Sequence, residues 1–289
     1  MKLCRFNDNR VGVVRDSSVY DVTAALEALP AIRHPFPPGD ALIAHLDTLR
    51  PAMERLAATA PALPLTAVHL LSPVANPSKI VATPSNYHAH AVEARLDPEI
   101  AVYQGERARS IRDQGLFLKS ASSLVGPSQG VATRFPDRRT DHEVELAVII
   151  GRPASCVAEA DALSFVAGYA IGLDMSVRGK EDRSYRKSID SYSVLGPWLI
   201  TADEIGDPTN LDFWLKVNGE EKQASNTAKM LVGLAEQIAW ASTMYVLHPG
   251  DIIMTGTCQG VSPVKPGDVM TCWIERIGEM TVPVSAFEK

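Results

Sequence analysis

Continuous or alternating apolar runs, separated by short polar turns, occupy most of this chain and predict a strand-rich fold. KIVAT from Lys79, VELAVIIG from Val144, FVAGYAIGLD from Phe165 and PWLIT from Pro197 read as strands. So do FWLKVNG from Phe213, DIIMTGT from Asp251 and DVMTCWIERIG from Asp268. Helical spacing is confined to fewer places. LVGLAEQIAWASTMY, Leu231 to Tyr245, repeats its apolar residues at helical period and runs into the turn HPGD; a second helix starts near Asn86. ALIAHLDTLRPAMERLAATA, Ala41 to Ala60, suits one or two helices interrupted at Pro51. Before it, LCRF and VGVV read as short strands around the NDNR turn, and Asp21 or Thr23 is placed to cap a short helix. Strands do not alternate regularly with helices, so a doubly wound parallel sheet fits poorly and a β-rich α+β fold fits well. The prolines at 73 and 77 mark a connector, and we expect a small N-terminal α+β domain over 1–75 and a main domain over 76–289.

Composition narrows the function classes. The 289 residues carry 28 Lys+Arg against 34 Asp+Glu, a formal charge of −6, which gives no general footprint for nucleic acid or an anionic membrane surface. The cysteines at 4, 156, 258 and 272 lie far apart, with no zinc-type spacing, and fit a reducing, cytoplasmic setting. No run is long and apolar enough to span a membrane, and the opening MKLCRFNDNRVG turns polar too soon for a signal peptide.

Candidate chemistry sits in four stretches. As a strand, residues 141–150 put Asp141, Glu143 and Glu145 on one face and Val144, Leu146, Val148 and Ile150 on the other. Crowded carboxylates repel, and a hard divalent cation is the simplest compensation if they are buried; a solvated edge strand has the same pattern. Asp174 ends the apolar run after Phe165, where a ligand and a turn residue look alike. The cations that follow, Arg178, Lys180, Arg183, Arg186 and Lys187, suit a carboxylate ligand or a charge-balanced loop. His90 and Glu93 lie one helical turn apart, a pairing that orients an imidazole for taking a proton from water and also occurs on plain surfaces. The polar segment from Ala94 to Gly115 has the composition of one that orders over a site. Finally, GDIIMTGTCQG from Gly250 ends in a hydroxyl- and glycine-rich turn able to hold a carboxylate, or to be simply a turn.

In this order, the stretches resemble the fumarylacetoacetate hydrolase family over roughly residues 79–289. The matching text is N-Y-x-x-H-x-x-E from Asn86, FLKSASSLVGP from Phe117, DHEVELAVIIG from Asp141, G-L-D-M-S-x-R from Gly172, KSID before GPW, and GDIIMTGT. The resemblance implies a twisted β-roll or sandwich, usually a homodimer, with Glu143, Glu145 and Asp174 as ligands of Mg²⁺ or Mn²⁺. It implies a water-activating pair in His90 and Glu93, a catalytic lysine in Lys187, with Lys180 as competitor, and substrate contacts from Arg178, Thr257 and Tyr87. The expected activity is hydrolysis of a C–C bond in an acylpyruvate such as fumarylpyruvate or maleylpyruvate, from aromatic catabolism. The alternatives are a decarboxylase or isomerase of an unsaturated 2-oxo dioate, or a non-catalytic metal-binding protein. The chain departs from the family at Glu181, where glutamine is common, and at Cys258, where proline usually follows T-G-T.

Overall fold

The computed structural model describes residues 1–101 and 110–288. Among these, strands form a twelve-stranded sheet, a five-stranded sheet and a two-stranded ribbon, a strand-rich α+β architecture. The main path of the large sheet runs Ala62–Pro64, Ser18–Asp21, Arg10–Arg15, Lys2–Phe6, Ser193–Thr201, Val166–Asp174, Val144–Ile150, Ile252–Met254, Ile80–Ala82 and Phe117–Lys119. Its pairs are antiparallel along this path except Ile252–Met254 with Ile80–Ala82. The smaller sheet runs Glu220–Asn226, Asp212–Val217, Val269–Ile274, Gly278–Ala286 and Val131–Thr133. Each of the seven apolar runs read as strands coincides wholly or in part with one.

The alternation expected of the Val144–Ile150 strand holds, but both of its faces are buried. Val144, Leu146, Val148 and Ile150 enter the core shared with Phe213, Leu215, Met270 and Cys272 of the smaller sheet. Ala147 and Ile149 enter a second cluster with Ile43, Ile80, Leu199 and Met254. A central strand covered on both sides reads as a continuous apolar run, and only its first turn of side chains escapes this rule, where Glu145 occupies the face that Ala147 and Ile149 continue.

Helix Leu234–Met244 lies where helical spacing predicts it, and Gly250, at φ 85°, makes the turn that feeds Ile252–Met254. The Ala41–Ala60 stretch does form two helices, Ala41–Ala44 and Leu46–Thr59, yet the break falls at His45 and Pro51 lies inside the second. Both Pro51 and Asp47, the residue whose carbonyl would have taken the missing N–H, face solvent, so water can satisfy the group that proline leaves open. Two strands were not expected as separate elements: Glu220–Asn226, which has no apolar signature, and Gly278–Ala286, whose Met280, Val282 and Val284 alternate inward at period two.

The first residues build their own apolar cluster, from Met1, Leu3, Val11 and Val13 against Leu46, Leu49 and Met53. They join the large sheet through Lys2–Phe6, which pairs with Ser193–Thr201 in the register Lys2↔Ile200. A buried carboxylate ties this part to the connector. Asp40 accepts from the N–H groups of Leu42 (3.0 Å) and Ile43 (3.2 Å) through one oxygen, and from Ala75 (2.8 Å) and Asn76 (3.0 Å) through the other. Removing it leaves four backbone donors without partners, so Asp40→Ala is expected to lower the unfolding free energy by about 2–4 kcal/mol. Asp40→Asn, which keeps one acceptor, should cost roughly half as much. Urea unfolding checks both, and equal, negligible losses would show that Asp40 does not tie the two parts.

Candidate active site

Strand register brings the acids together. Val144 pairs with Leu173 and Glu145 with Gly172, which sets Glu143 across from Asp174; the N–H of Asp174 donates to the carbonyl of Glu143 at 2.9 Å. Cross-strand neighbours on one face lie within side-chain reach. Glu143, Glu145 and Asp174 are all buried and offer carboxylate oxygens that lie within 4.8 Å of one another. Each would repel the others in so poorly hydrated a place, and the cations around them are arranged accordingly.

Lys187 donates to Glu143 (2.7 Å) and to Asp174 (2.8 Å). Arg178 bridges Asp141 (2.7 Å) and Glu143 (3.0 Å). Lys119 forms an ion pair with Asp174 and donates to the carbonyl of Tyr192 at 2.7 Å. Burial opposes the charge on Glu143, but Lys187 and Arg178 outweigh it and hold this carboxyl well below the usual range. Glu145 is different. Burial, then the neighbouring Asp174 and Glu143, push it well above the ordinary value, and its one strong compensation is the N–H of Gly256 at 2.8 Å. Among the described residues no cation pairs with Glu145. A hard cation at the three carboxylates would remove this imbalance, and an all-oxygen set is the right donor chemistry for Mg²⁺ or Mn²⁺.

A cavity open to solvent is lined by all three acids and by His90, Arg178, Lys187 and Thr257. His90 projects from helix His88–Leu96 with its Nδ1 3.2 Å from Glu93, and Glu93 is itself held by the N–H of Gly260 at 2.9 Å. Asn86 anchors the approach to this helix. Its Nδ2 donates to the carbonyls of Val232 (2.9 Å) and Thr255 (2.8 Å), and its Oδ1 accepts from the N–H of Val232 at 2.8 Å. Gly256, at φ 97°, leaves no room for a side chain against the Asn86 Cβ, which explains glycine in the T-G-T turn.

Several expected residues take up different stations. Thr257 lines the cavity, but its hydroxyl donates to the carbonyl of Val144 and accepts from Gln223, both at 2.8 Å, so its proton is already engaged. Tyr87 is not part of the lining: its ring packs edge-on against Phe213 with centroids 5.9 Å apart, and its buried hydroxyl has no hydrogen-bond partner among the described residues. Lys180 is exposed, whereas Lys187 touches two of the acids. Glu181 turns outward to Arg138, at 2.7 Å. Cys258 is a buried thiol pushed up to about 12 by burial, unsuited to act as a nucleophile. Part of the polar segment expected to order over the site, residues 102–109, lies outside the described residues.

Two participants escaped the sequence reading. Lys119 faces the acids while its neighbour Leu118 is 39% exposed, the inverse of what hydrophobicity suggests. Gln223 is the one fully buried side chain of the polar strand Glu220–Asn226. Its Oε1 accepts from the N–H of Val144 (3.1 Å) and lies 2.9 Å from His142, and its Nε2 donates to Thr257 and to the carbonyl of Cys258 (3.0 Å). One side chain thereby ties the beginning of the acid-bearing strand to the T-G-T turn. A polar residue inside an otherwise exposed strand has no signature without the partner it meets.

Comparison with known proteins agrees with this geometry. Residues 79–285 match the family model described as Fumarylacetoacetate (FAA) hydrolase C-terminal. The chain is 52% identical over 284 residues to a maleylpyruvate hydrolase of Aquipseudomonas alcaligenes, covering 98% of this chain and 99% of that one. It is 36% identical over 244 residues to the human mitochondrial oxaloacetate tautomerase FAHD2A, covering 80% and 74%. Among solved structures, maleylpyruvate hydrolase from Sphingobium sp. SYK-6, in complex with manganese(II) ion and pyruvate, superposes with a TM-score of 0.84 at 39% identity, covering 100% of both chains. With half of the chain and more matched by one family model, and the acid register, imidazole helix and T-G-T turn all in place, the protein belongs to the fumarylacetoacetate hydrolase family.

Proposed function

We propose that this protein is a divalent-metal-dependent hydrolase that cleaves maleylpyruvate, or a closely similar acylpyruvate, into pyruvate and a carboxylic acid. The observation that carries the reading is the placement of His90, backed by Glu93, on the same cavity as the three carboxylates. The full-length likeness to a maleylpyruvate hydrolase supports the choice of substrate.

Glu143, Glu145 and Asp174 would hold Mg²⁺ or Mn²⁺, whose Lewis acidity stabilises the negative charge that the pyruvate half acquires as the C–C bond breaks. His90 acts on water. With Glu93 accepting from its Nδ1–H, the imidazole is held in the tautomer that leaves Nε2 as a base. His90 removes a proton as the water oxygen bonds to the distal carbonyl carbon. The bond from that carbonyl carbon to the methylene of the pyruvate half then breaks, its electron pair stays on the methylene carbon, and the proton taken by His90 is available to the methylene, which becomes the methyl group of pyruvate. Lys187, held at the wall by Glu143 and Asp174, offers a donor to the oxygen where charge gathers, and Arg178 keeps Glu143 ionised and oriented. Both are roles for side chains already positioned before substrate arrives.

The reading includes a homodimer and a cytoplasmic location, supported respectively by the family resemblance and by the cysteine usage. Among the described residues no helix is long and apolar enough to cross a membrane. It also takes residues 1–75 as a small separate domain, for which their own apolar cluster speaks. A tautomerase or decarboxylase reading has one observation in its favour, the oxaloacetate tautomerase relative. Such chemistry keeps the acids and the cation but has no use for a pair that activates water.

Two experiments follow. In His90→Ala, release of pyruvate from maleylpyruvate should fall by about 10²- to 10⁴-fold, the usual worth of a general base, while enol–keto conversion of oxaloacetate, if present, stays within about threefold. Hydrolysis that survives the substitution would defeat the assignment. For the cation, Mn²⁺ at about a hundred times its Kd should stabilise the wild-type protein by about 2.7 kcal/mol, seen as a rise in Tm. Glu145→Gln should abolish that rise, and without metal it should melt no lower than the wild type, because it removes a carboxylate that the fold leaves uncompensated. An equal Mn²⁺ response in both proteins would place the cation elsewhere.

A further inference from the structure

Arg183, a cation on the cavity wall, forms no ion pair with a carboxylate among the described residues. Asp182 caps the short helix Arg183–Lys187, its Oδ1 accepting from the N–H of Ser184 at 2.8 Å. Arg183 and Lys187 are then four residues apart and project from one side of the helix, and both line the cavity. Lys187 is paired twice with carboxylates, Arg178 with Asp141 and Glu143, Arg139 with Asp97, Glu99 and Asp141, and Arg138 with Glu181. Arg183 has no such partner among the described residues. It is half-buried, donates to the amide oxygen of Gln114, and lies 5.7 Å from the centroid of the Phe117 ring. Burial and the nearby Arg186 both disfavour its charge. A half-buried guanidinium on the cavity wall, hydrogen-bonded to a neutral amide and with acids near it but none in an ion pair with it among the described residues, is suited to an anion that arrives from solvent.

Lys187 marks the end of the cavity where the three acids lie, and its Nζ is also 5.7 Å from the Phe117 centroid. Both cations therefore approach one aromatic ring on the same cavity wall, beside the three acids. We propose that Arg183 receives the distal carboxylate of the substrate, and that it makes the enzyme selective for acylpyruvates whose acyl group ends in a second carboxylate. This rests on the reading of the cavity as an acylpyruvate site and adds the feature that sets the acyl group. The amide of Gln114 steers the fork of the guanidinium, and Phe117 supplies a flat apolar wall for the unsaturated carbons between the two ends.

The test compares ligands of equal chain length with and without the second carboxylate. Binding of 2-oxopimelate and of 2-oxoheptanoate to the Mn²⁺-loaded protein is measured by calorimetry for the wild type, Arg183→Met and Arg183→Lys. Turnover of maleylpyruvate and of acetylpyruvate is measured in parallel. The wild type should prefer 2-oxopimelate by about ten- to a hundredfold, as expected for a charge-assisted hydrogen-bonded pair. Arg183→Met should erase the preference while leaving 2-oxoheptanoate binding and acetylpyruvate turnover within about threefold, and Arg183→Lys should retain part of it. A wild type without preference, a preference that survives in Arg183→Met, or an equal loss for both ligands would overturn the role of Arg183. A preference that depends on Arg183 in a protein that hydrolyses neither acylpyruvate would uphold it and overturn the hydrolase reading instead.

Discussion

The register of two antiparallel strands is the constraint on which the site depends. With Val144 across from Leu173, three carboxylates arrive on one face of the large sheet, at its buried end. A slip of one residue would turn Glu143 and Glu145 into the apolar core and bring Val144 and Leu146 to the cavity. The apolar residues of the same strands prevent this. Leu146, Val148 and Ile150 fill one core, Ala147 and Ile149 another, and either set exposed or crossed would cost several kcal/mol. Hydrophobic packing on both faces thus holds the acids where electrostatics alone would scatter them.

Repulsion among those acids is then offset unevenly. Glu143 and Asp174 have ammonium and guanidinium partners at short range, whereas Glu145 has a backbone N–H. The imbalance is the property of a site built for a further positive charge, since a structural ion-pair network would leave no member so poorly served. Arg183 shows the complementary condition at the other end of the helix that carries Lys187: a cation with no carboxylate in an ion pair with it among the described residues. An uncompensated carboxylate and an uncompensated guanidinium on one cavity describe a site for a cation and an anionic ligand together.

Hydrogen-bonded side chains fix the parts that hydrophobic packing cannot. Gln223 links the acid strand to the T-G-T turn, and Asn86 links that turn to the helix bearing His90. Both are fully buried polar residues whose donors and acceptors are satisfied by groups far away in sequence, so each constrains orientation as well as stability. His90 and the acids therefore face each other through a rigid scaffold, with Glu93 held from outside by the backbone of Gly260.

Much of this was legible in the chain. Apolar runs of strand length announced the sheet, period-two spacing put Glu143 and Glu145 on one side, and helical spacing paired His90 with Glu93, because these are local regularities that neighbouring residues express by themselves. The sequence motifs, taken in order, also pointed to the family. Local pattern failed where burial comes from a distant partner. The strand Glu220–Asn226 looks like surface and hides Gln223, Lys119 turns inward while Leu118 faces out, and Pro51 sits inside a helix because both it and the carbonyl it leaves open face solvent. Nor could spacing choose between Lys180 and Lys187, or show that the proton of Thr257 is engaged and that Tyr87 stands outside the cavity. By itself, then, the sequence determined which segments become strands and helices and which residues carry chemistry, since those follow from short-range periodicity and side-chain type. Tertiary structure alone decided which charges meet a partner and which are left without one, because Coulombic and hydrogen-bond energies depend on distances between residues that the linear order does not specify.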